Sequence, residues 1–165
     1  MRWADILTFS RIILLIPMLI LIWYDNYVPA FVLLIILAFT DWYDGVLARQ
    51  STSTMFGKIM DPVADKILIN SILILFAYLN LFNPIALILL IARDLLADGF
   101  RMEAAAQHKK IAAGIWGKVK TFGQFILIAL ILLSIPSIIT TIITWLVVLI
   151  SWYSFLRYVY QWSKP

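Results

Sequence analysis

The sequence places four aspartates in two short, regularly spaced groups. Asp41 and Asp44 are three residues apart, and Asp61 and Asp65 are four residues apart. On a helix with about 3.6 residues per turn, each pair lies on one helical face. Carboxylates brought together repel one another unless positive charge lies between them, and hard divalent cations supply that charge through oxygen ligands alone. The spacing therefore predicts an all-aspartate site shared by two Mg²⁺ or Mn²⁺ ions.

The residues beside these aspartates favour phosphate chemistry. Gly45 has no side chain and suits the close approach of a substrate, and Arg49 carries a forked donor that matches a phosphate. The chain has no cysteine and one histidine, so thiolate ligands are excluded. The alternative is that the aspartates only form structural ion pairs, for which the nearby cations are Lys58, Lys66 and Arg49.

These acids occur in a very apolar chain. Of its 165 residues, 64% are hydrophobic, and its mean hydropathy of +0.98 excludes an ordinary soluble globular protein. A helix needs about 20 apolar residues to cross a bilayer. Six segments fit, at about 6–24, 28–47, 59–80, 83–104, 117–134 and 138–158. The predicted fold is all-α, a polytopic integral membrane bundle of six transmembrane helices, with residues 1–165 forming a single domain.

Basic residues predict the orientation of these segments. The connectors near 23–29, 78–84 and 134–137 contain no Lys or Arg, whereas the basic residues fall at the opposite ends. Because Lys and Arg prefer the cytoplasmic side, both termini are predicted to be cytoplasmic. A basic rim facing anionic membrane lipids accounts for the net charge of +4, and no nucleic-acid partner is required.

The acidic motif resembles the signature of the CDP-alcohol phosphatidyltransferases, D-x-x-D-G-x-x-A-R followed by G-x-x-x-D-x-x-x-D. Its eight fixed positions are Asp41, Asp44, Gly45, Ala48, Arg49, Gly57, Asp61 and Asp65. The resemblance implies a homodimeric six-helix enzyme of the cytoplasmic (inner) membrane, with an active site that opens to the cytoplasm.

The resemblance also implies roles for individual residues. Asp41, Asp44 and Asp61 would hold two metal ions, and Asp65 would accept a proton and also contact a metal. The residues expected to bind CDP-diacylglycerol are Gly45, Ala48, Arg49, Thr54, Gly57 and Thr8. For Gly57, close packing of helices is an alternative role.

Later sequence blocks are similar to those of the bacterial phosphatidylglycerophosphate synthase subfamily. They are Arg93-Asp94, Gly99-Phe100-Arg101 and the segment 116–121, together with the opening segment 6–11. This chain departs from the subfamily in two places. Trp3-Ala4-Asp5 stands where an Asn-Pro-Asn type entry is usual, and Asp94 stands where Glu is common.

Four basic residues near the acidic motif favour a phosphorylated acceptor: Arg93, Arg101, Lys118 and Lys120. Anchoring to lipid head groups is the alternative for three of them, and a snorkelling side chain is the alternative for Arg93. The predicted reaction transfers the phosphatidyl group from CDP-diacylglycerol to sn-glycerol 3-phosphate, giving phosphatidylglycerophosphate and CMP. The alternatives are a sibling transferase that uses inositol phosphate, serine or phosphatidylglycerol, and a divalent-cation transporter.

Overall fold

The computed structural model describes residues 3–48, 55–107 and 115–162, and within these ranges all regular structure is helical. The helices are α1 (Trp3–Trp23), α2 (Tyr27–Ala48), α3 (Met55–Tyr78), α4 (Pro84–Ala106), α5 (Ile115–Leu132) and α6 (Ser137–Trp162). The six predicted segments correspond one to one with these helices, and each bound agrees within about one helical turn. The all-α class is therefore confirmed.

Two compact units make up the chain. The first groups Met1–Phe76 with Leu132–Ser134, and the second groups Ala77–Ile131 with Ile135–Pro165. In the first unit α1 packs against α2, and in the second α4 packs against α6. The single domain over residues 1–165 stays a prediction.

Buried residues recur every three or four positions along α1 and α2, as expected when one face of a helix packs inward. On α1 they are Arg11, Leu15, Met18 and Ile22, and on α2 they are Ala30, Leu34 and Leu37. Large aliphatic residues such as Ile13, Ile16 and Ile35 occupy the opposite faces and are exposed. Over residues 13–23 of α1 and 27–39 of α2, both faces are therefore apolar.

A Schellman motif ends α1 and turns the chain toward α2. The Asp25 N–H donates to the Ile22 carbonyl at 3.1 Å, and the Asn26 N–H donates to the Leu21 carbonyl at 2.9 Å. Asp25 has a φ of 58°, a left-handed conformation that Asp and Asn tolerate better than most residues. The Tyr27 hydroxyl donates to Asp25 Oδ1 at 2.6 Å. This hydrogen bond raises the pKa of the Tyr27 phenol.

The connectors after α3 and α5 are built in a similar way. Asn80 and Ser134 have φ values of 59° and 53°, and each follows the end of its helix. Asn83 then caps α4, because its Oδ1 accepts the Ile85 N–H at 2.9 Å, and Pro84 occupies the first helical position. These connectors, residues 24–26, 79–83 and 133–136, contain no Lys or Arg, as the sequence indicated.

Among the described residues, one helical stretch combines the length and apolarity needed to cross a membrane. It is Ser137–Arg157, with a mean hydropathy of 1.9. Shorter apolar stretches occur at Ile13–Trp23, Tyr27–Thr40 and Val119–Leu132. The structure thus establishes six helices, and the six membrane crossings stay a prediction.

Candidate active site

The four aspartates of the motif belong to two helices of the first unit. Asp41 and Asp44 lie in about the last two turns of α2, and Asp61 and Asp65 lie in about the first three turns of α3. Because α3 begins before Pro62, this proline is inside the helix, and Asp61 and Asp65 are about one turn apart. The side chain of Asp65 is described, whereas those of the other three aspartates are outside the described part of the structure.

Asp65 forms an ion pair with Arg11 of α1. Arg11 Nη1 donates to Asp65 Oδ1 at 2.7 Å, a distance typical of a charge-assisted hydrogen bond. The Arg11 side chain is 6% exposed and the Asp65 side chain is 35% exposed. The pair therefore joins a buried cation to a carboxylate that solvent can reach.

The sequence did not single out Arg11 as a partner of the aspartates. The two residues are separated by 54 positions in the chain, so no local spacing connects them. A signal was nevertheless present, because a charged residue inside an apolar span marks a functional position by default.

The predicted contacts to CDP-diacylglycerol fall mostly outside the described side chains. Gly45 and Ala48 lie at the end of α2, Gly57 lies in the first turn of α3, and Thr8 lies in α1. Arg49 and Thr54 lie outside the described residues. The structure thus places Gly45, Ala48 and Gly57 on the two helices that carry the aspartates, and the binding role of all six residues stays a prediction.

Arg93, Asp94 and Lys120 form a buried network in the second unit. Lys120 Nζ donates to Asp94 Oδ1 at 2.5 Å and to Asp94 Oδ2 at 2.6 Å. Arg93 Nη1 donates to Asp94 Oδ1 at 3.1 Å. Each of the three side chains is 5% or 6% exposed. Two cations therefore share one carboxylate, and the three residues together carry a net charge of +1.

Two serines of α6 accept hydrogen bonds from Arg93. Its Nε donates to the Ser151 carbonyl at 2.9 Å, and its Nη2 donates to Ser154 Oγ at 3.2 Å. Arg93 is thus held by α6 rather than snorkelling to an interface, and neither serine was a sequence candidate. Ser151 Oγ is buried and has no hydrogen-bond partner among the described side chains, so it can bond to a polar ligand or a water.

Arg101 and Lys118 are the other two residues predicted to bind the acceptor phosphate. Arg101 is exposed, and its Nη1 lies 3.9 Å from Asp98 Oδ1, one helical turn away on α4. Lys118 lies in α5, and its side chain is outside the described part of the structure. Anchoring to lipid head groups does not fit Lys120, which is buried against Asp94.

Asp94→Asn is expected to destabilise the protein by about 3 to 5 kcal/mol, since it removes the buried carboxylate that Arg93 and Lys120 share. Asp98→Asn is the matched control. Its pair with Arg101 is exposed on both sides, and such pairs contribute about 0 to 1 kcal/mol. Thermal unfolding of both variants in the same detergent measures the difference. Equal unfolding midpoints for the two variants would show that the buried network contributes little to stability.

The aspartate motif offers donor atoms that suit a divalent cation. These atoms are carboxylate oxygens, which Mg²⁺ and Mn²⁺ prefer, and Asp65 is accessible enough to offer one. Among the described side chains, no group of three His, Cys, Asp or Glu residues is gathered. The metal set of Asp41, Asp44, Asp61 and Asp65 therefore stays a prediction.

Comparison with known proteins identifies the family. Residues 1–153 match CDP-alcohol phosphatidyltransferase. A Bacillus subtilis protein named CDP-diacylglycerol–glycerol-3-phosphate 3-phosphatidyltransferase is 38% identical over 103 residues, which cover 62% of this chain and 53% of that protein. A Rickettsia felis protein of the same name is 34% identical over 132 residues, 77% of this chain and 72% of its own length. A Salmonella choleraesuis protein of that name is 35% identical over 136 residues, 77% of this chain and 74% of its own length.

These matches differ in how much of each relative they cover. The chain spans about half the length of the Bacillus subtilis protein and about three quarters of the Rickettsia felis protein. The family match includes the aspartate motif and the Arg93–Lys120 region of this chain. Enzymes of this family are membrane-bound and generally use a divalent metal. The chain therefore belongs to the CDP-alcohol phosphatidyltransferase family.

Proposed function

We propose that this protein transfers the phosphatidyl group of CDP-diacylglycerol to sn-glycerol 3-phosphate, giving phosphatidylglycerophosphate and CMP. The observation that carries the proposal is the shared name of its relatives, which match up to 77% of this chain. Family membership alone would leave the acceptor open, since a sibling transferase carries the same motif.

The reaction is a displacement at phosphorus. The primary hydroxyl of glycerol 3-phosphate attacks the phosphorus that bears the diacylglycerol. A new P–O bond forms, the P–O bond to CMP breaks, and the hydroxyl proton goes to the Asp65 carboxylate. Support for this role comes from the exposure of the Asp65 side chain, 35%, and from the hydrogen bond that holds it in place.

Asp41, Asp44, Asp61 and Asp65 would hold two Mg²⁺ or Mn²⁺ ions. A bound divalent cation supplies positive charge that neutralises the diphosphate and the departing CMP. The nucleotide and its lipid would be bound by the residues near these helix ends, namely Gly45, Ala48, Arg49, Thr54, Gly57 and Thr8. Arg49 would contribute a bidentate donor to a phosphate, and the two glycines would allow close approach.

The phosphate of the acceptor would be bound by Arg93, Arg101, Lys118 and Lys120. The two cations of the buried network, Arg93 and Lys120, support an anionic ligand, because guanidinium and ammonium groups donate charge-assisted hydrogen bonds to phosphate. The Ser151 hydroxyl beside Arg93, which has no partner in the described part of the structure, supports a ligand with hydrogen-bonding oxygens.

The protein would cross the inner (cytoplasmic) membrane six times, with both termini and the active site on the cytoplasmic side. The exposed aliphatic faces of the helices support contact with lipid. The absence of Lys and Arg from the connectors after α1, α3 and α5 supports their placement on the outer side. We also propose a homodimer, as the family resemblance implies.

The test is an assay of the purified full chain in detergent micelles with CDP-diacylglycerol, Mg²⁺ or Mn²⁺, and one alcohol at a time. Glycerol 3-phosphate should give CMP and phosphatidylglycerophosphate, identified by mass spectrometry. Glycerol, serine, inositol phosphate and phosphatidylglycerol should give neither product. If the protein used one of these alcohols and did not use glycerol 3-phosphate, the proposed acceptor would be wrong. The phosphatidyl transfer typical of the family would still stand.

Arg101→Gln is expected to raise the KM for glycerol 3-phosphate about tenfold, the lower end of the effect of losing a charge-assisted contact, since water screens this exposed group. The KM for CDP-diacylglycerol should change less than about twofold, because the nucleotide contacts lie elsewhere. Arg157→Gln removes an exposed cation of α6 and serves as the control. An unchanged KM for glycerol 3-phosphate in Arg101→Gln would remove this residue from the acceptor site.

A further inference from the structure

Arg11 is a buried cation on the packed face of α1. The whole residue is 5% exposed, and it lies on the same helical face as the buried residues Leu15, Met18 and Ile22. Taking a charged group out of water is costly, and its ion pair repays that cost only when the geometry is good. Apolar residues of similar volume in place of a buried ion pair often give equal or greater stability. Helix packing alone therefore does not account for an arginine here.

The geometry of the pair restrains the Asp65 carboxylate. The hydrogen bond from Arg11 Nη1 engages one named oxygen, Oδ1, at 2.7 Å. A guanidinium is planar, is always charged and presents its donors in a fixed fork. Such a donor limits rotation of the carboxylate about its last torsion. The Arg11 side chain is 6% exposed, while the carboxylate side chain remains 35% exposed.

Two neighbours of α1 carry the aspartates of the motif. Helix α1 packs against α2, which carries Asp41 and Asp44. Through Arg11 it also contacts α3, which carries Asp61 and Asp65. One helix therefore touches both helices of the aspartate motif, and its arginine reaches the residue to which we assign proton transfer.

We propose that Arg11 is a positioning residue that holds the Asp65 carboxylate in the orientation needed to take the acceptor's proton. This inference rests on the proposed function. Arg11 does not touch the substrate in this account; it acts through Asp65. Misplacing a reacting group by about 1 Å can cost about a hundredfold in rate, which sets the expected size of the effect.

The experiment compares Arg11→Met in two backgrounds, the wild type and Asp65→Asn. In the wild type we expect kcat to fall about a hundredfold, with the KM for CDP-diacylglycerol within about twofold. In the Asp65→Asn background the same change should lower kcat less than about threefold, because the group that Arg11 positions is already inactive. Arg11→Lys keeps the charge and should recover part of the lost rate.

Two further measurements separate positioning from a merely structural role. Thermal unfolding reports whether each variant is folded, and binding of CDP-diacylglycerol is measured without turnover. Arg157→Met removes a cation from an exposed position and should leave both kcat and binding unchanged. If Arg11→Met cannot be obtained folded, Arg11→Lys is compared in the same two backgrounds, where it should lower kcat in the wild type and much less with Asp65→Asn.

The proposal would be overturned by a wild-type kcat in a folded Arg11 variant, or by equal fold-losses in the two backgrounds. Either result leaves the proposed function standing, because wild-type protein still releases CMP. Absence of CMP release from the wild type with every acceptor would instead refute the proposed function and this inference together.

Discussion

Asp41→Asn and Asp61→Asn are each expected to abolish phosphatidyl transfer while leaving a folded, membrane-inserted protein. Each change removes an anionic oxygen from the set that would hold the divalent cations. Losing such preorganised charge costs about 3 to 4 kcal/mol or more in the transition state, which corresponds to a rate loss of at least about a hundredfold. The measurement is CMP release at saturating Mg²⁺ or Mn²⁺.

A matched control for these variants is Asp25→Asn. This aspartate is exposed in the connector between α1 and α2, where it accepts a hydrogen bond from Tyr27. It should keep the wild-type rate, because it belongs to no proposed ligand set. If Asp41→Asn or Asp61→Asn kept more than about a tenth of the wild-type rate, the residue concerned would have to be withdrawn as a ligand.

Asp65→Asn is expected to lower turnover by about 10² to 10⁴ while CDP-diacylglycerol still binds. The asparagine side chain has the same shape, and its amide oxygen can still accept the hydrogen bond that Arg11 gives to Asp65. It cannot take a proton from the acceptor hydroxyl. Single-turnover rates and equilibrium binding of CDP-diacylglycerol, measured on the same preparation, separate the two effects.

Asp25→Asn also provides the control for the Asp65 variant, since Asp25 is an exposed acid of the connector between α1 and α2 and is assigned to no binding site. Its turnover should match that of the wild type. Equal losses of binding and turnover in Asp65→Asn would instead mean that Asp65 acts mainly as a metal ligand. Glycerol 3-phosphate would then need another proton acceptor.

The helices could be predicted from the sequence because each apolar segment is long and the connectors are short. Pro84 is the first residue of α4, and Pro136 directly precedes α6. Asp25 and Asn80 follow helix ends and are residue types that tolerate a left-handed conformation. Terminal polar turns were harder to predict. The structure extends α3 back to Met55 and α6 on to Trp162, because helical hydrogen bonding continues past the apolar segment.

Inward and outward faces could not be predicted in the same way. Arg11 and Ile13 belong to one apolar helix, yet the first is buried and the second is exposed. A helix with apolar residues on every side shows no contrast between its faces, so periodicity gives no information on packing. The faces are set by which side chains of neighbouring helices meet.

The sequence by itself determined the helix order, the family and the carboxylate pairs, because each depends on residues close together in the chain. The tertiary structure decided which charges meet. It paired Asp65 with Arg11, 54 positions away, and it enclosed Asp94 between Arg93 and Lys120, which is 26 positions away. A buried charge must find a partner within hydrogen-bonding distance, and helix packing determines which of the distant candidates comes that close.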